Sequence, residues 1–431
     1  MIIAGAWAGR RYAVLGLARS GVATVRALLA GGASVVAWDS DAAKRAQILA
    51  GAGTGEGLTI ADPLAIDLAG FDGVVVSPGV PLNRHPIVAH AGDVPVIGDI
   101  ELFAQGRSNL PPHKVVGITG TNGKSTTTAL IHHILTTAGI AARMGGNIGL
   151  PILEQAPLPA GGVYVLELSS YQIDLTFTLD CDVAVLLNIT PDHLDRYAGF
   201  DAYAASKARL FAMQSPTHAA IVGIGDAPSA AIARSLSARG EHLTKIAPGV
   251  CMVQPGPALA GPHNAQNALA AIAACEALGV SADAIAAGLR SFGGLPHRMQ
   301  RVGEVAGVTY VDDSKATNPE STAPALNAFG RIHWIVGGLA KGDDLEACRP
   351  GFGNVVRAYT IGTAADRFAE LLRHDMPVEN AGTLAAAVTS AATHAVSGDT
   401  VLLSPACASF DQFSDFEARG RAFVAAVEAL R

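Results

Sequence analysis

The segment Gly117–Thr126, GITGTNGKST, carries the residue types and spacing that most directly imply chemistry. It follows a short apolar run and opens into a helical pattern that extends through Ile134. Glycines let backbone N–H groups approach an anion, and a helix N-terminus adds positive potential. Lys124 can neutralise β/γ-phosphate charge, and Ser125 can hold Mg²⁺. The segment therefore predicts an ATP or GTP site of variant form, because Ile118 stands where a P-loop normally has glycine; the alternative is a bare glycine turn that caps a helix.

Two further segments supply metal-binding side chains at the ends of buried apolar runs. Glu167 is placed where a second anchor for Mg²⁺ is expected beside a phosphate-loop strand; a buried glutamate in a salt bridge is the alternative. Asp192, His193 and Asp195 follow the next such run. His193 could bind metal or transfer protons while the aspartates orient it, or the segment could simply cap a helix.

Lys207 stands on the apolar stripe of a helix that is predicted to begin at Asp201. The stripe also contains Tyr203, Leu210 and Phe211. A lysine that faces inward is costly unless it is paired or neutral, because burial disfavours its charged form. A neutral amine reacts with CO₂ to give a carbamate, which would be an additional carboxylate ligand. The alternative is a lysine whose ammonium group extends to solvent.

Polar residues later in the chain suit nucleotide and acidic-substrate binding. Asn264 and Asn267 share one face at the start of a predicted helix, where they could recognise a base or ribose, although N-capping would explain Asn264. Arg298 follows a glycine–proline break and could contact a γ-phosphate. Lys315 and Lys341 occur on loops that follow predicted strands, and either would also be unremarkable as a solvated loop lysine.

Ser409 and Gln412 have the spacing of a capping box at the start of a helix. Such a helix start would direct backbone N–H groups and positive dipole potential at the preceding loop, which predicts a carboxylate site. Phe410, Phe413 and Phe416 could alternatively form the core stripe of that helix.

The elements that must position these residues begin with a Rossmann-like βαβ unit. The unit consists of the predicted strand Tyr12–Leu15, the turn Gly16–Gly21 and the predicted strand Ser34–Trp38. Asp39 follows, at the distance from the glycine turn where a ribose or base is bound in this unit. Ala18 replaces the second glycine of the dinucleotide motif, so binding of NAD is disfavoured. Binding of a nucleotide diphosphate and a purely structural role of the turn both stay open as alternatives.

Chain breaks at Pro111–Pro112 and Gly293–Pro296 divide the sequence into three predicted domains. They comprise residues 1–110, which would bind a UDP-linked substrate, 111–296, which would bind ATP, and 297–431, which would bind an amino acid. Alternating strand and helix patterns indicate an α/β fold with parallel sheets throughout. The first and last domains are predicted to be Rossmann-like and the central one P-loop ATPase-like.

Composition excludes several classes of protein. The 431 residues are 50% hydrophobic and 16% charged, with a formal charge of −7, so no basic field for nucleic acid is indicated. No apolar run reaches the roughly 18–20 residues of a membrane span, and the N-terminus lacks the pattern of a signal peptide. The five cysteines contain no CxxC pair. We therefore expect a cytoplasmic protein without membrane insertion.

Taken together, these segments resemble the Mur ligase family over essentially the whole chain. The similarity lies in Gly117–Thr126, Glu167–Gln172, Asn188–Arg196, His263–Asn267, His297–Arg298, Asp313–Asn318 and Ser404–Phe413. The first five segments are shared across the family, and the last two are similar to its D-glutamate-adding branch. Phe410 stands where that branch often has leucine, and Tyr171 where phenylalanine is common.

The resemblance implies an activity. The chain would join D-glutamate to UDP-N-acetylmuramoyl-L-alanine in peptidoglycan precursor synthesis, through an acyl phosphate, with release of ADP and phosphate. ATP would be a substrate, two Mg²⁺ ions would bridge its phosphates, and the protein would be a monomer that binds no nucleic acid.

The resemblance also implies roles for individual residues. Catalytic roles fall to Lys124, His193, Lys207 and Arg298. ATP would contact Gly117, Gly120, Thr121, Asn122, Gly123, Lys124, Ser125, Thr126, Asn264, Asn267, Arg298 and Asp313. The UDP-linked substrate would contact Leu15, Gly16, Leu17, Asp39, Ser40, Asn147, Ser169, Gln172 and His193. D-Glutamate would contact Lys315, Thr317, Lys341, Ser409, Phe410 and Phe416. The metal ligands would be Ser125, Glu167, His193 and carbamylated Lys207.

Three alternatives stay open. One is another ATP-dependent amide ligase of this architecture, such as a folylpolyglutamate synthase or a ligase that prefers L-glutamate. Another is a nucleotide-dependent switch, which would need neither His193 nor an inward Lys207. A dehydrogenase is disfavoured by Ala18.

Overall fold

The computed structural model describes residues 1–51, 57–192, 196–247, 259, 262–340, 342 and 344–431, with only the backbone of residues 262 and 263. The chain divides into two compact units. The first comprises Met1–Gly256 and Asn264–Phe292, and the second comprises Pro257–His263 and Gly293–Arg431.

The first unit begins with a five-stranded parallel sheet in the order β3-β2-β1-β4-β5. Its strands are β1 Arg11–Leu15, β2 Ser34–Trp38, β3 Leu58–Ile60, β4 Gly73–Val76 and β5 Val96–Ile97. Its helices are α1 Arg19–Ala30, α2 Ala42–Gly51, α3 Ile87–Ala91 and α4 Asp99–Gly106. The predicted Rossmann-like opening is confirmed, and the apolar residues of β1 and β4 are buried, as expected for a sheet that is covered on both faces.

The same unit contains a second parallel sheet, of six strands in the order β11-β10-β9-β6-β8-β7. Its strands are β6 His113–Thr119, β7 Ala142–Gly146, β8 Gly162–Glu167, β9 Val183–Leu186, β10 Ala219–Gly223 and β11 Leu243–Ile246. Its helices are α5 Lys124–Thr137, α6 Ser170–Asp174, α7 Phe200–Ala212, α8 Ala227–Ser235, α9 Pro262–Ala277 and α10 Ala282–Ser291. Because these strands are parallel, β6, β7, β8 and β9, which precede the predicted site residues of this sheet, all end at one edge of it.

Polar contacts join the two sheets of the first unit. Glu101 of α4, only 1% exposed, accepts hydrogen bonds from the backbone N–H groups of Phe177 and Thr178 at 2.7 and 2.9 Å. Arg107, just after α4, pairs with Asp182 at 3.3 Å. Because these contacts flank the proline pair at 111–112, hydrogen bonds and an ion pair span this break.

The second unit has one six-stranded sheet in the order β12-β13-β17-β14-β15-β16. Its strands are β12 Gln300–Val305, β13 Val308–Asp312, β14 Ile332–Gly337, β15 Val355–Ile361, β16 Val378–Gly382 and β17 Thr400–Leu403. Its helices are α11 Pro319–Leu326, α12 Ala365–Leu372, α13 Leu384–His394 and α14 Phe416–Glu428. The other strands are parallel, but β12 pairs antiparallel with β13.

The prediction of parallel strands throughout is therefore wrong at β12. Ala306 and Gly307 connect β12 to β13 with positive φ angles of 50° and 77°. Two such residues form the tight turn that a β-hairpin requires, and a two-residue connection cannot join parallel strands.

Within the described residues, no helix combines the length and the apolar character that a membrane span requires.

Candidate functional site

The phosphate loop leaves the carboxyl end of β6 and enters α5, as predicted. Gly120 and Gly123 have φ angles of 149° and 86°, which side-chain-bearing residues rarely adopt. A Cβ on Gly123 would also lie 2.2 Å from Asn267 Oδ1. Gly117 lies inside β6 instead, where a Cβ would lie 2.7 Å from Cys181 Sγ. The backbone geometry of the loop therefore requires glycine at the positions of Gly120 and Gly123. Close packing against Cys181 requires glycine at the position of Gly117.

Asn188, after β9, holds the loop in place. Its Oδ1 accepts the N–H of Asn122 at 2.9 Å, and its Nδ2 donates to the carbonyl of Asn122 at 3.1 Å. Its own carbonyl accepts the N–H of Thr121 at 2.9 Å. No role for Asn188 was predicted from the sequence, although its position directly after an apolar strand was a usable signal.

Two lysines converge on one carbonyl of the loop. Lys124 Nζ donates to the carbonyls of Gly120 and Thr121 at 2.9 and 2.7 Å, and Lys207 Nζ donates to that of Gly120 at 2.9 Å. Lys207 is 1% exposed, so the alternative of a solvent-reaching ammonium group is excluded. Burial, and next the positive charge of Lys124, hold the pKa of Lys207 well below its ordinary value. This environment favours the neutral amine that carbamylation requires.

Glu167, at the end of β8, is 2% exposed. Its Oε1 accepts a hydrogen bond from Asn147 Nδ2 at 3.0 Å, whereas its buried Oε2 has no hydrogen-bond partner in the described part of the chain. An ion pair does not explain this burial, since none of those found among the described residues involves Glu167. Ser125 is buried in the first turn of α5. A buried carboxylate oxygen without a donor is suited to a cation, so these residues fit Mg²⁺.

The predicted second metal position is described only in part. His193 and Asp195 lie outside the described residues. Asp192 is half-buried, and its negative charge acts on the pKa of Lys207 in the direction opposite to burial. An acidic residue therefore lies within electrostatic range of the buried amine.

Asn264 and Asn267 lie on one face of α9, as predicted, and both are buried. Asn264 Oδ1 accepts a hydrogen bond from Asn267 Nδ2 at 3.1 Å. The alternative that Asn264 is an N-cap is wrong, because α9 already begins at Pro262. Proline favours the first helical position, which shifts the helix start before the asparagine. The Asn267 side chain instead packs against Gly123 of the phosphate loop.

The turn after β1 is built around Asp39. Gly16 has a φ angle of 91°, and a Cβ on Gly21 would lie 1.8 Å from the Gly16 carbonyl oxygen. Asp39 Oδ2 accepts the N–H of Leu17 at 2.8 Å. Burial acts to raise the pKa of Asp39, but the N–H groups of Asp41 and Leu17 and the ammonium group of Lys44 together outweigh it, and the pKa lies below its ordinary value. Asp39 thus has a structural role in this turn.

The other described residues predicted to contact the UDP-linked substrate follow the carboxyl ends of parallel strands, in the two sheets of the first unit. Leu15 ends β1 and is buried, and Ser40 follows β2 and is exposed. Asn147 follows β7, and Ser169 caps α6 in a capping box with Gln172. In an open α/β sheet this edge is where ligands bind.

In the second unit, the chain before β12 is held in unusual backbone geometry. His297 and Met299 have φ angles of 61° and 47°. His297 Nδ1 lies 2.6 Å from Asp312 Oδ2. Asp313 accepts hydrogen bonds from the Ser404 hydroxyl at 2.7 Å and from the N–H of Met299 at 3.2 Å. Burial raises the pKa of Asp313 to about 7, although these two hydrogen bonds, and next the charge of the half-buried Arg298, act against the rise. The predicted ATP contacts Arg298 and Asp313 are thus neighbours.

The loop after β13 holds two of the predicted D-glutamate contacts. Lys315 Nζ lies 3.9 Å from the centroid of the Phe416 ring, a cation–π contact. Thr317 is half-buried directly before Asn318, which caps α11. Lys341 lies outside the described residues.

The predicted capping box at Ser409 is wrong. Helix α14 begins at Phe416, and its N-cap is Asp415, whose Oδ1 accepts the N–H of Ala418 at 2.6 Å. Asp415 offers an equally good cap closer to the apolar helical stripe, so the helix starts there. Ser409 lies buried in the preceding loop, and Phe410 is 69% exposed. The dipole argument for a carboxylate site at Ser409 therefore fails.

Arg419 was missed by the sequence analysis. It is 1% exposed in α14 and donates to the hydroxyl and carbonyl of Ser314 and to the carbonyls of Cys407 and Ala408. Burial lowers its pKa to about 10. These bonds tie the loop that contains Lys315 to the loop that contains Ser409. A charged residue on the apolar stripe of a helix is the signal that identified Lys207. The same signal, in α14, could have identified Arg419.

Comparison with known proteins shows to which family models and relatives this chain is similar. Residues 118–248 match the Mur ligase middle domain, and residues 297–407 match the Mur ligase, glutamate ligase domain. A Novosphingobium aromaticivorans protein named UDP-N-acetylmuramoylalanine–D-glutamate ligase is 62% identical, over 100% of this chain and 97% of its own length. Proteins of the same name from Sphingopyxis alaskensis and Zymomonas mobilis are 61% and 54% identical, each over 100% of both chains.

Solved structures share the fold at low sequence identity. UDP-N-acetylmuramate-alanine ligase from Thermotoga maritima superimposes with a TM-score of 0.61 at 16% identity, over 98% of this chain and 100% of that one. UDP-N-acetylmuramoylalanyl-D-glutamyl-2,6-diaminopimelate–D-alanyl-D-alanyl ligase from Acinetobacter baumannii gives 0.59 at 18% identity, over 86% and 92%.

Proposed function

Because the chain belongs to the Mur ligase family, we propose that it is an ATP-dependent ligase that joins D-glutamate to UDP-N-acetylmuramoyl-L-alanine in peptidoglycan precursor synthesis. The relatives that are 54–62% identical over the whole chain carry the name of this activity. The structural observation that carries the proposal is the buried Lys207 on the carbonyl of Gly120. A nucleotide-dependent switch has no need for such a lysine beside its phosphate loop.

The reaction has two chemical steps. The carboxylate of the muramoyl-bound alanine attacks the γ-phosphorus of ATP, so an acyl phosphate forms and ADP leaves. The neutral amine of D-glutamate then attacks the acyl carbon, the tetrahedral intermediate expels inorganic phosphate, and the amine loses a proton. The protein contributes mainly charge stabilisation and alignment, because phosphoryl transfer needs little covalent help.

In this account the phosphate loop binds ATP together with further residues that the family resemblance implies. Lys124 stabilises the β- and γ-phosphates, and Arg298 stabilises charge that develops during transfer. Asn264, Asn267 and Asp313 contact the rest of the nucleotide. The other contacts come from the loop, at Gly117, Gly120, Thr121, Asn122, Gly123, Ser125 and Thr126.

Two Mg²⁺ ions are part of the proposal. Ser125 and Glu167 would hold the first, and the unpartnered Oε2 of Glu167 supports this assignment. His193 and carbamylated Lys207 would hold the second. When bound, the ions neutralise phosphate charge that would otherwise repel the attacking carboxylate.

The two other substrates occupy separate regions. The UDP-linked substrate contacts Leu15, Gly16, Leu17, Asp39, Ser40, Asn147, Ser169, Gln172 and His193. D-Glutamate contacts Lys315, Thr317, Lys341, Ser409, Phe410 and Phe416, where two lysines match its two carboxylates. We propose that the predicted domain 1–110 mainly binds the UDP-linked substrate, 111–296 mainly binds ATP and 297–431 binds the amino acid. We propose further that the protein acts as a monomer in the cytoplasm.

The test is a phosphate-release assay with purified protein, ATP, Mg²⁺ and UDP-N-acetylmuramoyl-L-alanine, with D-glutamate, L-glutamate or no amino acid. Release should depend on D-glutamate, and mass spectrometry should find the glutamyl product. Release that is equal without amino acid would favour a nucleotide switch, and preference for L-glutamate would favour a different amide ligase.

A further inference from the structure

A continuous row of side chains leads away from the phosphate loop. The hydroxyl of Tyr203 lies 3.2 Å from Thr121 Oγ1. The Tyr203 ring meets that of Tyr197 edge-on, with centroids 5.4 Å apart, and Tyr197 stacks on Tyr171 at 6.0 Å and 7°. The guanidinium carbon of Arg196 lies 4.7 Å from the Tyr171 centroid. We call Tyr203, Tyr197, Tyr171 and Arg196 the aromatic ladder.

The far end of the aromatic ladder reaches the N-terminal sheet. Arg196 Nη2 donates to the carbonyl of Gly79 at 3.4 Å. Gly79 lies in the turn after β4, where the Ser77 hydroxyl donates to the carbonyl of Gly16 at 2.9 Å. Arg196 is therefore a cation placed where the turns after β1 and β4 meet the central sheet.

Arg196 is a cation there with capacity for a ligand. Arg45 already stacks on Trp38 at 4.3 Å and donates to two backbone carbonyls, and Lys44 pairs with Asp39. Arg196 is half-buried, and within the described part of the chain only one of its five N–H donors finds an acceptor. A stacked, planar guanidinium is preorganised for bidentate contact with phosphate oxygens.

We infer that Arg196 binds the diphosphate of the UDP-linked substrate, and that Tyr171 positions its guanidinium group for this contact. The inference rests on the proposed function for the identity of the substrate. The diphosphate brings two negative charges to a sheet edge where Asp39 is itself acidic, so a cation is needed. Since the same ladder touches the phosphate loop at Thr121, one rigid row would set the distance between the diphosphate and the reacting carboxylate.

The experiment compares Arg196→Gln with Arg209→Gln. Arg209 is a matched control, since it also lies over an aromatic ring, 5.3 Å from Phe177, and donates to the carbonyl of Thr176 at 2.9 Å. Arg196→Gln should raise the KM for the UDP-linked substrate about 10- to 100-fold, while the KM values for ATP and D-glutamate change less than about threefold. Arg209→Gln should leave all three KM values near those of the wild type.

Ligand binding without turnover separates contact from structural support. The inhibition constant of UDP should rise with the KM in Arg196→Gln, whereas that of uridine, which lacks the diphosphate, should not change. Tyr171→Phe should behave as wild type, and Tyr171→Leu should weaken UDP. An unchanged UDP constant in Arg196→Gln, or equal losses for UDP and uridine, would overturn the inference. Calorimetry of UDP binding gives this answer even if the wild type fails to make the glutamyl product, which would instead refute the proposed function.

Discussion

The ammonium nitrogen of Lys207 and the carbonyl oxygen of Gly120 are 2.9 Å apart in a fully buried contact. Lys124 donates to the same carbonyl. Burial, together with the repulsion between these two cationic side chains on one acceptor, lowers the pKa of Lys207 and so favours loss of its proton. The site therefore has an amine that can be converted into an anionic ligand next to the phosphate loop.

Carbamylation of Lys207 is the first prediction. Protein equilibrated with ¹³C-bicarbonate should show one carbamate ¹³C signal that is absent from Lys207→Ala. The variant should lose at least ~100-fold in kcat, because a misplaced phosphate group is costly to catalysis. Acetate should restore part of the activity. The exposed Lys245 provides a control substitution that should be neutral, and full activity of Lys207→Ala in bicarbonate-free buffer would contradict the prediction.

Glu167→Gln tests the assignment of the first Mg²⁺. The amide oxygen of the new side chain could still accept the hydrogen bond from Asn147, but an NH₂ group would replace the unpartnered carboxylate oxygen. The Mg²⁺ concentration for half-maximal activity should therefore rise about 10-fold or more. Glu154→Gln changes an exposed glutamate in the same unit and should have no effect. A Mg²⁺ dependence of Glu167→Gln equal to that of the wild type would remove Glu167 from the metal site.

The outcomes show which patterns predict this structure. Lys207 could be predicted as a site residue because a charged residue on an apolar helical stripe is conspicuous. Arg419 has the same pattern but was not predicted. The predicted helix start at Ser409 was wrong because a capping box is a local pattern, and Asp415, six residues later, caps the helix instead. The antiparallel strand β12 depends on two adjacent residues with positive φ angles, Ala306 and Gly307. Only Gly307 is of a residue type that commonly adopts such angles, so the turn was not evident from the sequence. The contact of Asn267 with Gly123 joins residues far apart in sequence and has no local signal.

Asp313 should make stability depend on pH. Its pKa is about 7 in the folded protein, whereas an unfolded aspartate titrates near ~3.9. The folded state thus binds more protons between these values, and this contribution to stability is lost as the pH rises from about 4 to 7. The stability of Asp313→Asn relative to the wild type should therefore be greater at pH 8 than at pH 4.5, by up to ~3 kcal/mol.

Urea denaturation at the two pH values measures this difference. The exposed Asp375 serves as the control, since Asp375→Asn should shift stability equally at both. An Asp313→Asn variant whose difference from the wild type is the same at pH 4.5 and pH 8 would show that Asp313 is ionised in both conditions.

D-Glutamate binding should depend on the second unit. Lys341→Ala and Ser409→Ala should each raise the KM for D-glutamate about 10- to 100-fold and that for ATP less than about threefold, because each removes a contact to a carboxylate. Arg349→Ala removes an exposed cation that pairs with Glu346 and should change neither. Equal increases in the KM values for D-glutamate and ATP would indicate that these residues support the structure and do not contact D-glutamate.

Isotope transfer tests the acyl-phosphate route most directly. UDP-N-acetylmuramoyl-L-alanine labelled with ¹⁸O in its carboxylate should be incubated with ATP, Mg²⁺ and D-glutamate, and the inorganic phosphate analysed by ³¹P NMR. Attack of the carboxylate on the γ-phosphate leaves one of its oxygens on phosphorus, so each phosphate formed with product should contain one ¹⁸O atom. Release of unlabelled phosphate alongside the glutamyl product would contradict the account.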